Sequence, residues 1–294
     1  MKRNPKISIV TPSFNHGQFL EETILSVLAQ GYNNLEYIII DGGSTDNTIE
    51  IIKKYESNID YWISEPDQGQ SDAINKGLKL ATGDILGWLN SDDLYMPGCL
   101  KYISETVDLT ARTIYFGNCI HFKSGNDGVV AYGSNVEHAV IHQNLAISDF
   151  IIQPSSFWTR ETWNLVGNLC LNKEYVFDWE WFLRAKSLGV SLQPLKKHLS
   201  LYRIHSNQKS SIGGGMRQLE IMNLYNTYSP KHTGLYKKLA NETVNNKSLS
   251  YRFLYVILKL SKFPHRYTDV LKILKYRKYR TYSSQEVFEC NAML

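Results

Sequence analysis

The segment Gly87-Trp88-Leu89-Asn90-Ser91-Asp92-Asp93 is the most informative part of this chain, because a hydrophobic strand runs directly into two adjacent carboxylates. Pro97-Gly98 interrupts the chain shortly afterwards. Divalent cations such as Mg²⁺ and Mn²⁺ take oxygen ligands, and carboxylates often hold them together with water and substrate phosphates. The pattern indicates a cation site and a phosphate-bearing substrate. Residues 90–93 also suit a simple polar turn that caps the next helix. The choice between a cation site and a turn therefore depends on the surrounding elements.

Composition excludes several classes of protein. The 294 residues are enough for one large domain or for a domain with an appendage. A net charge of +4 is too small to predict binding to nucleic acid. The four cysteines form no CxxC pair, which argues against a structural zinc site and fits a reducing compartment. The N-terminus lacks the apolar stretch of a signal peptide, and no segment is long enough to span a membrane, so we expect a cytoplasmic protein.

Strands and helices alternate through the first ninety or so residues. The predicted strands are 6–10, 35–40, 60–64 and 85–89, and the predicted helices between them are 21–29, 48–55 and 71–80. Alternation of this kind predicts an α/β fold with a mostly parallel central sheet and helices on both faces. Ligands of such sheets bind outside the carboxyl ends of the strands. Those ends carry polar or glycine-rich segments at 11–15, 41–44, 65–70 and 90–93, so we expect one shared site.

The pattern is less regular after Pro97. A helix near 98–107 and strands near 113–122 and 129–132 precede a polar stretch that runs to about residue 153. Residues 177–188 predict a helix with acids in its first turn and Gly189 after its end. Residues 190–203 predict a strand that leads into a loop, and the three glycines at 213–215 predict a flexible break.

Four segments together resemble the inverting family-2 glycosyltransferases, which have the Rossmann-like GT-A fold of nucleotide-diphospho-sugar transferases. The matching segments are SIVTPSFN (8–15), DGGSTDNT (41–48), SEPDQGQSDAINKG (64–77) and ATGDILGWLNSDD (81–93). The similarity is dense over 6–97 and returns between 153 and 210. It implies a catalytic domain over 1–212, with a nucleotide-sugar-binding half (1–97) and an acceptor-binding half (98–212). A helical, basic and aromatic C-terminal region over 213–294 would follow.

The resemblance implies a role for each donor-side residue. Asp41 would bind the nucleobase, although a carboxylate can accept N–H groups of uracil, thymine or guanine and its type does not choose among them. The alternative is that Asp41 only closes a turn beside two glycines. UDP-sugars are the favoured donors. The predicted nucleotide- and donor-binding residues are Thr11, Pro12, Asn15, Asp41, Gly43, Ser44, Gln70, Asp72, Asn75 and Asp92.

The resemblance also implies a cation, Mn²⁺ or Mg²⁺, that stabilises the departing diphosphate. Asp93 would coordinate it directly, Asp92 would face the ribose or bridging waters, and His205 would be a second ligand of the metal or the diphosphate. In that family, this cation site belongs to the leaving-group half of the reaction.

The acceptor half needs a base. By resemblance, Asp178 deprotonates the acceptor hydroxyl in a single displacement with inversion. Glu180 stays a second candidate, because Phe177 stands where many relatives have an acid, and Asp178 would otherwise only stabilise the helix start. Trp88, Gln153 and Trp179 are the predicted acceptor contacts, the tryptophans by stacking on sugar rings.

The sequence therefore predicts a glycosyltransferase that acts on a glycan or a lipid-linked oligosaccharide. A sugar-phosphate nucleotidyltransferase is the nearest alternative, but residues 11–18 lack the expected Gly-rich, Arg-containing loop. A non-catalytic carbohydrate-binding relative is the second. Basic and aromatic residues alternate through 250–282, which predicts peripheral contact with the inner face of the membrane or packing on the catalytic domain. The membrane contact would be refuted if anionic vesicles bound the full chain and a chain that lacks the residues beyond 213 equally well.

Overall fold

The computed structural model describes residues 4–125, 128–206, 208–209, 213–245 and 281–294. The chain divides into two compact units. Residues 1–142 and 150–212 form the first unit, and residues 143–149 and 213–294 form the second.

The first half of the first unit alternates strands and helices. The strands are β1 (Ile7–Ser13), β2 (Leu35–Asp41), β3 (Tyr61–Ser64) and β4 (Ile85–Trp88), and the helices are α1 (Gly17–Leu28), α2 (Thr48–Lys54) and α3 (Gln70–Leu80). The strands lie in the order β3-β2-β1-β4 and are all parallel. β1 is buried along its whole length and β2 nearly so, as continuous apolar runs covered on both faces require. The predicted α/β fold is confirmed.

Helix α1 begins at Gly17, four residues before its predicted start. The carboxylate of Asp46 accepts a hydrogen bond from the Gly17 backbone N–H at 2.9 Å, and the His16 carbonyl accepts from Leu20 N at 3.0 Å. A side chain 29 residues away therefore satisfies a free donor of the first turn. The apolar periodicity alone does not reveal this helix start.

The second half of the unit adds further strands to the sheet and contains further helices. They are β5 (Leu94–Tyr95), β6 (Thr113–Gly125), β7 (Gly128–Gly133), β8 (Ser156–Thr159), β9 (Ser191–Arg203), α4 (Cys99–Thr106), α5 (Val136–His142), α6 (Arg160–Val166) and α7 (Phe177–Ser187). The sheet continues in the order β4-β8-β6-β9-β5, with β7 paired to β6. β8 is antiparallel to β4 and β6, whereas β6 and β9 are parallel. The parallel half is thus joined to a mixed half.

Helix α7 is buried on most of its surface, which its aromatic sequence explains. Trp181 is fully buried, and its ring centroid lies 4.7 Å from that of Trp158, which in turn lies 5.3 Å from Trp88. Offset and edge-on aromatic pairs at these distances stabilise a core beyond their buried area. The aromatic cluster joins α7 to β4 and β8 and fixes the position of the helix start.

The second unit contains α8 (Gly214–Tyr228), α9 (Pro230–Asn245) and α10 (Ser284–Ala292). The glycines at 213–215, predicted as a break, lie where the second unit resumes, and α8 begins at the second of them, Gly214. Ser283 and Glu286 form a capping box at the start of α10, and Tyr225 donates to the Ile147 carbonyl. No helix among the described residues is long and apolar enough to cross a membrane. The predicted membrane segment 250–282 lies outside the described residues except for 281 and 282.

Candidate active site

The carboxyl ends of β1, β2, β3 and β4 lie at one edge of the sheet. Ser13 of β1 is level with Asp41 of β2, and Asp41 is level with Ser64 of β3. On the other side of β1, Leu89 directly after β4 donates its N–H to the Val10 carbonyl at 2.9 Å. The four polar loops of the sequence are therefore neighbours in space, as the topology of a parallel sheet requires.

Asp93 lies at the β4 end of this edge and is 1% exposed. Its Oδ1 atom accepts a hydrogen bond from the backbone N–H of Arg203 at 3.1 Å. Its Oδ2 atom is buried and has no hydrogen-bond donor among the described residues. Burial and the charge of Asp92 raise the pKa of Asp93 well above its usual range, against the opposing effects of the Arg203 N–H, the nearby Asn90 side chain and the Arg203 charge. Such an oxygen is suited to a cation.

Asp92 is bound from the segment that follows β9. Its Oδ2 atom lies 3.0 Å from Nε2 of His205, and its backbone carbonyl accepts from Nε of Arg203 at 3.0 Å. The Arg203 guanidinium stacks 5.0 Å from the ring of Phe19 and also pairs with Glu22. Arg203 and His205 thus hold both acids of the strand end from a distant part of the sequence.

His16 belongs to the same cluster, although no role is expected for it from its sequence context. Its Nδ1 atom lies 2.8 Å from the Ser91 hydroxyl, and its ring centroid lies 6.2 Å from that of His205. The only signal for it in the sequence is its place in the loop after the first predicted strand. That place does not distinguish it from Asn15 or Gln18.

No three His, Cys, Asp or Glu side chains of the described residues converge into a preformed metal cluster. His205 contacts Asp92, and no contact of His205 with Asp93 is present among the described residues. The residues that suit a cation are therefore the two adjacent carboxylates, with the rest of the coordination shell left to substrate and water. The buried, unpaired Oδ2 atom of Asp93 fits this arrangement.

Asp41 closes the turn that follows β2. The carboxylate is fully buried, and its Oδ2 atom accepts from Gly43 N (3.0 Å), Ser44 N (2.8 Å) and the Ser64 hydroxyl (2.6 Å). The Ser44 hydroxyl donates to the other oxygen. Gly43 has φ +84°, a conformation that favours glycine. Both carboxylate oxygens of Asp41 are therefore engaged within the protein.

The loop after β1 is tied to this turn. Asn15 has φ +51°, its N–H donates to the Ser44 hydroxyl at 2.7 Å, and its Oδ1 accepts from Thr45 N at 2.8 Å. Thr11 and Pro12 are buried near the end of β1, and the Thr11 hydroxyl lies 3.1 Å from the Tyr37 hydroxyl. The side chain of Thr11 therefore serves the core.

Gln70 and Asp72 lie at the start of α3, at the edge of the sheet where the predicted site lies. Gln70 Nε2 donates to Asn90 Oδ1 at 2.8 Å and so joins the β3 and β4 ends. Asp72 accepts from Gln68 N at 3.1 Å and lies 3.4 Å from Lys76. Asn75, one turn further along, bonds both the N–H and the carbonyl of Leu169. Its amide is committed to this link, so the expected contact of Asn75 with the donor does not fit the structure.

Asp178 is half-buried in the first turn of α7, and its Oδ1 atom accepts from the N–H of Trp179 at 2.8 Å. Glu180, two residues further into the helix than Asp178, is 5% exposed and forms a bidentate pair with Arg184 at 3.1 and 3.0 Å. Arg184 also donates to the carbonyls of Val166 and Asn168. The two acids near the helix start have different environments.

The predicted stacking of Trp88 and Trp179 on acceptor sugars is wrong. Trp88 is fully buried against Trp158, and Trp179 is 1% exposed, so neither ring offers a face to a ligand. Gln153 is also buried, and its Nε2 donates to the Trp88 carbonyl at 2.9 Å while its Oε1 accepts from Asn90 Nδ2 at 3.2 Å. Gln153 thus helps to position Asn90, which precedes Asp92 and Asp93 in the same loop.

A Rossmann-like sheet with carboxylates at its strand ends and a mixed extension is the architecture of GT-A nucleotide-sugar transferases. A family model described as "Glycosyl transferase family 2" matches residues 8–164, more than half of the chain. The chain belongs to glycosyl transferase family 2.

One relative of known activity is the GalNAc(5)-diNAcBac-PP-undecaprenol beta-1,3-glucosyltransferase of Campylobacter jejuni. It is 26% identical over 258 residues, which cover 84% of this chain and 78% of the relative. An uncharacterized glycosyltransferase of Mycobacterium tuberculosis is 43% identical over 96 residues, 32% of this chain. The match covers 37% of the length of that relative.

Two solved structures share the fold. The mannosyltransferase PcManGT from Pyrobaculum calidifontis, in complex with GDP-Man and Mn²⁺, has a TM-score of 0.62 at 15% identity, over 98% of this chain and 86% of the other. S. aureus TarS 1-349 in complex with UDP-GlcNAc has a TM-score of 0.57 at 15% identity, over 98% and 90%. At this identity the likeness concerns the fold.

Proposed function

We propose that the chain is an inverting glycosyltransferase that moves a sugar from a UDP-sugar to a hydroxyl of a glycan or a lipid-linked oligosaccharide. The observation that carries the proposal is the clustering of Asp92, Asp93, Arg203 and His205 at the end of β4, on the edge where Asp41 ends β2. A diphosphate at β4 and a nucleoside over β1 and β2 suit that edge. The named substrate of the Campylobacter jejuni relative supports a lipid-linked acceptor.

The two acids of the β4 end fit a Mn²⁺ or Mg²⁺ ion, and Asp93 is the residue proposed to bind it. The ion would supply positive charge where the departing diphosphate becomes more negative. The protein's own part is to fix the carboxylates in advance. The Arg203 N–H orients Asp93, and the His205 ring holds Asp92 at 3.0 Å.

The acceptor hydroxyl needs a base, and the surroundings of the two candidates favour Asp178. Glu180 is bound in a buried bidentate pair, so a proton transferred to it would leave the charge of Arg184 without its carboxylate partner. Asp178 lies in the first turn of α7, where the helix dipole favours its ionised form. One base and no nucleophile correspond to a single displacement, which inverts the anomeric centre.

Replacement of the base tests this proposal. Asp178→Asn keeps the shape of the side chain but removes the proton acceptor, and we expect kcat to fall by about 10²- to 10⁴-fold. Binding of UDP should be unchanged, because the substitution leaves the β4 end intact. Release of UDP from a panel of UDP-sugars with lipid-linked acceptors measures the rate, and NMR of the product gives the anomeric configuration.

Glu161→Gln is the matched control, since Glu161 is also an acid in the first turn of a helix and is exposed. It should leave kcat unchanged. Wild-type turnover in Asp178→Asn, or a product with the anomeric configuration of the donor, would contradict the proposed mechanism.

A further inference from the structure

Asp67, in the loop between β3 and α3, lies beside Gly42, the residue that directly follows β2. A Cβ atom added at Gly42 would lie 2.7 Å from Oδ2 of Asp67 and 3.1 Å from its Cγ. Gly42 directly follows β2 and donates its N–H to the carbonyl of Ser13, the last residue of β1, at 2.8 Å. The missing side chain of Gly42 is thus what allows the Asp67 carboxylate to approach the strand ends.

Asp41, the neighbouring acid, is poorly placed to bind a ligand. Its carboxylate is fully buried and accepts four hydrogen bonds from Gly43, Ser44 and Ser64. A base that bonded to Asp41 would have to replace donors which the turn itself requires. Asp41 therefore shapes the turn below the site.

Asp67 has the opposite environment. It is half-buried, its Oδ1 atom accepts from Gly69 N at 2.7 Å, and its Oδ2 atom accepts no hydrogen bond from the described residues. Burial raises the pKa of Asp67, and the charges of Asp72 and Asp41 add to the rise, against the Gly69 N–H and Lys76. A partly desolvated carboxylate with one free oxygen gains most from one N–H donor.

The position of Asp67 matches the base end of a nucleotide. In the sheet, β1 separates β4 from β2, and neighbouring strands are ~4.8 Å apart, so about 10 Å separates the two acids of β4 from the end of β2. A diphosphate held at β4 places a ribose over β1 and a base near Gly42. Uracil offers a single imide N–H there, whereas cytosine offers an acceptor nitrogen at the same ring position.

We propose that Oδ2 of Asp67 accepts the imide N–H of a uracil base and so selects UDP over CDP, with Asp41 as its structural support. This inference rests on the proposed function, because it assumes a nucleotide across the β4, β1 and β2 ends. It differs from the expectation that Asp41 carries the base contact. Asp67 is thereby assigned as a residue that determines donor specificity.

The test is titration calorimetry of UDP and CDP with saturating Mg²⁺ on the full chain. Asp67→Asn removes the negative charge and replaces one of the two acceptor oxygens with an NH₂ group that can donate to cytosine, while the remaining amide oxygen is a weaker acceptor than a carboxylate. UDP binding should weaken by about ten- to a hundredfold, and the ratio of UDP to CDP affinity should fall further because CDP gains. N3-methyl-UDP should bind the wild type as weakly as UDP binds the variant.

Two further variants make the test independent of folding defects. Gly42→Ala places a methyl group against Oδ2 of Asp67 and should weaken UDP binding without any change in charge. Glu65→Gln, an exposed acid of the same loop that pairs with Lys76, should bind UDP like the wild type. Thermal unfolding of each variant shows whether it is folded.

The inference would be overturned if the ratio of UDP to CDP affinity were unchanged in Asp67→Asn. It would also be overturned if that ratio changed in Asp41→Asn but not in Asp67→Asn. A wild type that binds GDP and not UDP would also overturn it, while the proposed sugar transfer would survive with another donor. A wild type that binds no nucleoside diphosphate would overturn both.

Discussion

Asp41, Asp67 and Asp93 lie along one edge of the sheet, yet their hydrogen bonds give them different chemistry. Four donors within the protein engage Asp41, whereas one oxygen each of Asp67 and Asp93 accepts nothing from the described residues. An acceptor that the protein leaves unsatisfied gains most from a ligand. Residue type and position alone do not distinguish these three carboxylates.

Glu180 provides a prediction at the scale of a residue. Glu180→Gln removes the charge that faces Arg184 in a buried pair, so the free energy of unfolding should fall by roughly 2 kcal/mol. The loss is at the low end because Arg184 keeps the carbonyls of Val166 and Asn168 as acceptors. Urea unfolding measures the change, and turnover of the folded variant should stay within about threefold of the wild type. A stable variant without turnover would instead make Glu180 the base.

Among the elements, β2 carries an ion-pair cluster that holds the first half of the sheet together. Glu36 on β2 accepts hydrogen bonds from Lys6 Nζ, the Ser8 hydroxyl and both the N–H and the hydroxyl of Thr82. Burial opposes ionisation, but these four donors outweigh it and lower the pKa of Glu36 to about 2. The cluster joins β1, β2 and the turn before β4.

This lowered pKa predicts how stability depends on pH. A carboxylate with a folded-state pKa below its unfolded value of about 4.3 stabilises the protein fully above that value. The contribution is lost as the pH falls from about 4.3 to 2. Glu36→Gln should cost on the order of 2 kcal/mol at pH 7 and almost nothing near pH 2, as measured by urea unfolding at both values. An equal loss at both pH values would contradict the ionised cluster.

The long elements could be predicted from sequence because their apolar periodicity is local information. Strands β1 to β4 and helix α7 agree with their predictions within a few residues. Strands β5 and β8 and helices α5 and α6 were not predicted, since they are seven residues or shorter and depend on distant partners. Strand β8, for example, exists by pairing with β4 and β6.

Within the first unit as a whole, topology explains why part of the site could be predicted. Parallel alternation brings four polar loops to one edge, so the sequence alone is enough to group Asp41, Gln70, Asp92 and Asp93. The contacts of His16 with Ser91 and of Asp67 with Gly42 depend on side-chain packing across loops, which no local pattern encodes. Trp88 and Trp179 are of a residue type that often stacks on sugar rings, but both side chains are buried in the core.

The most direct test of the central claim is a thermal-shift measurement of the full chain with UDP, GDP and CDP, each with and without Mn²⁺. We expect UDP with Mn²⁺ to raise Tm by about 5 °C at a hundredfold excess over Kd. Without Mn²⁺, or in Asp93→Asn, that rise should disappear, and GDP and CDP should give little. Equal shifts for the three nucleotides, or a UDP shift that survives in Asp93→Asn, would contradict a metal-dependent UDP-sugar site at this edge of the sheet.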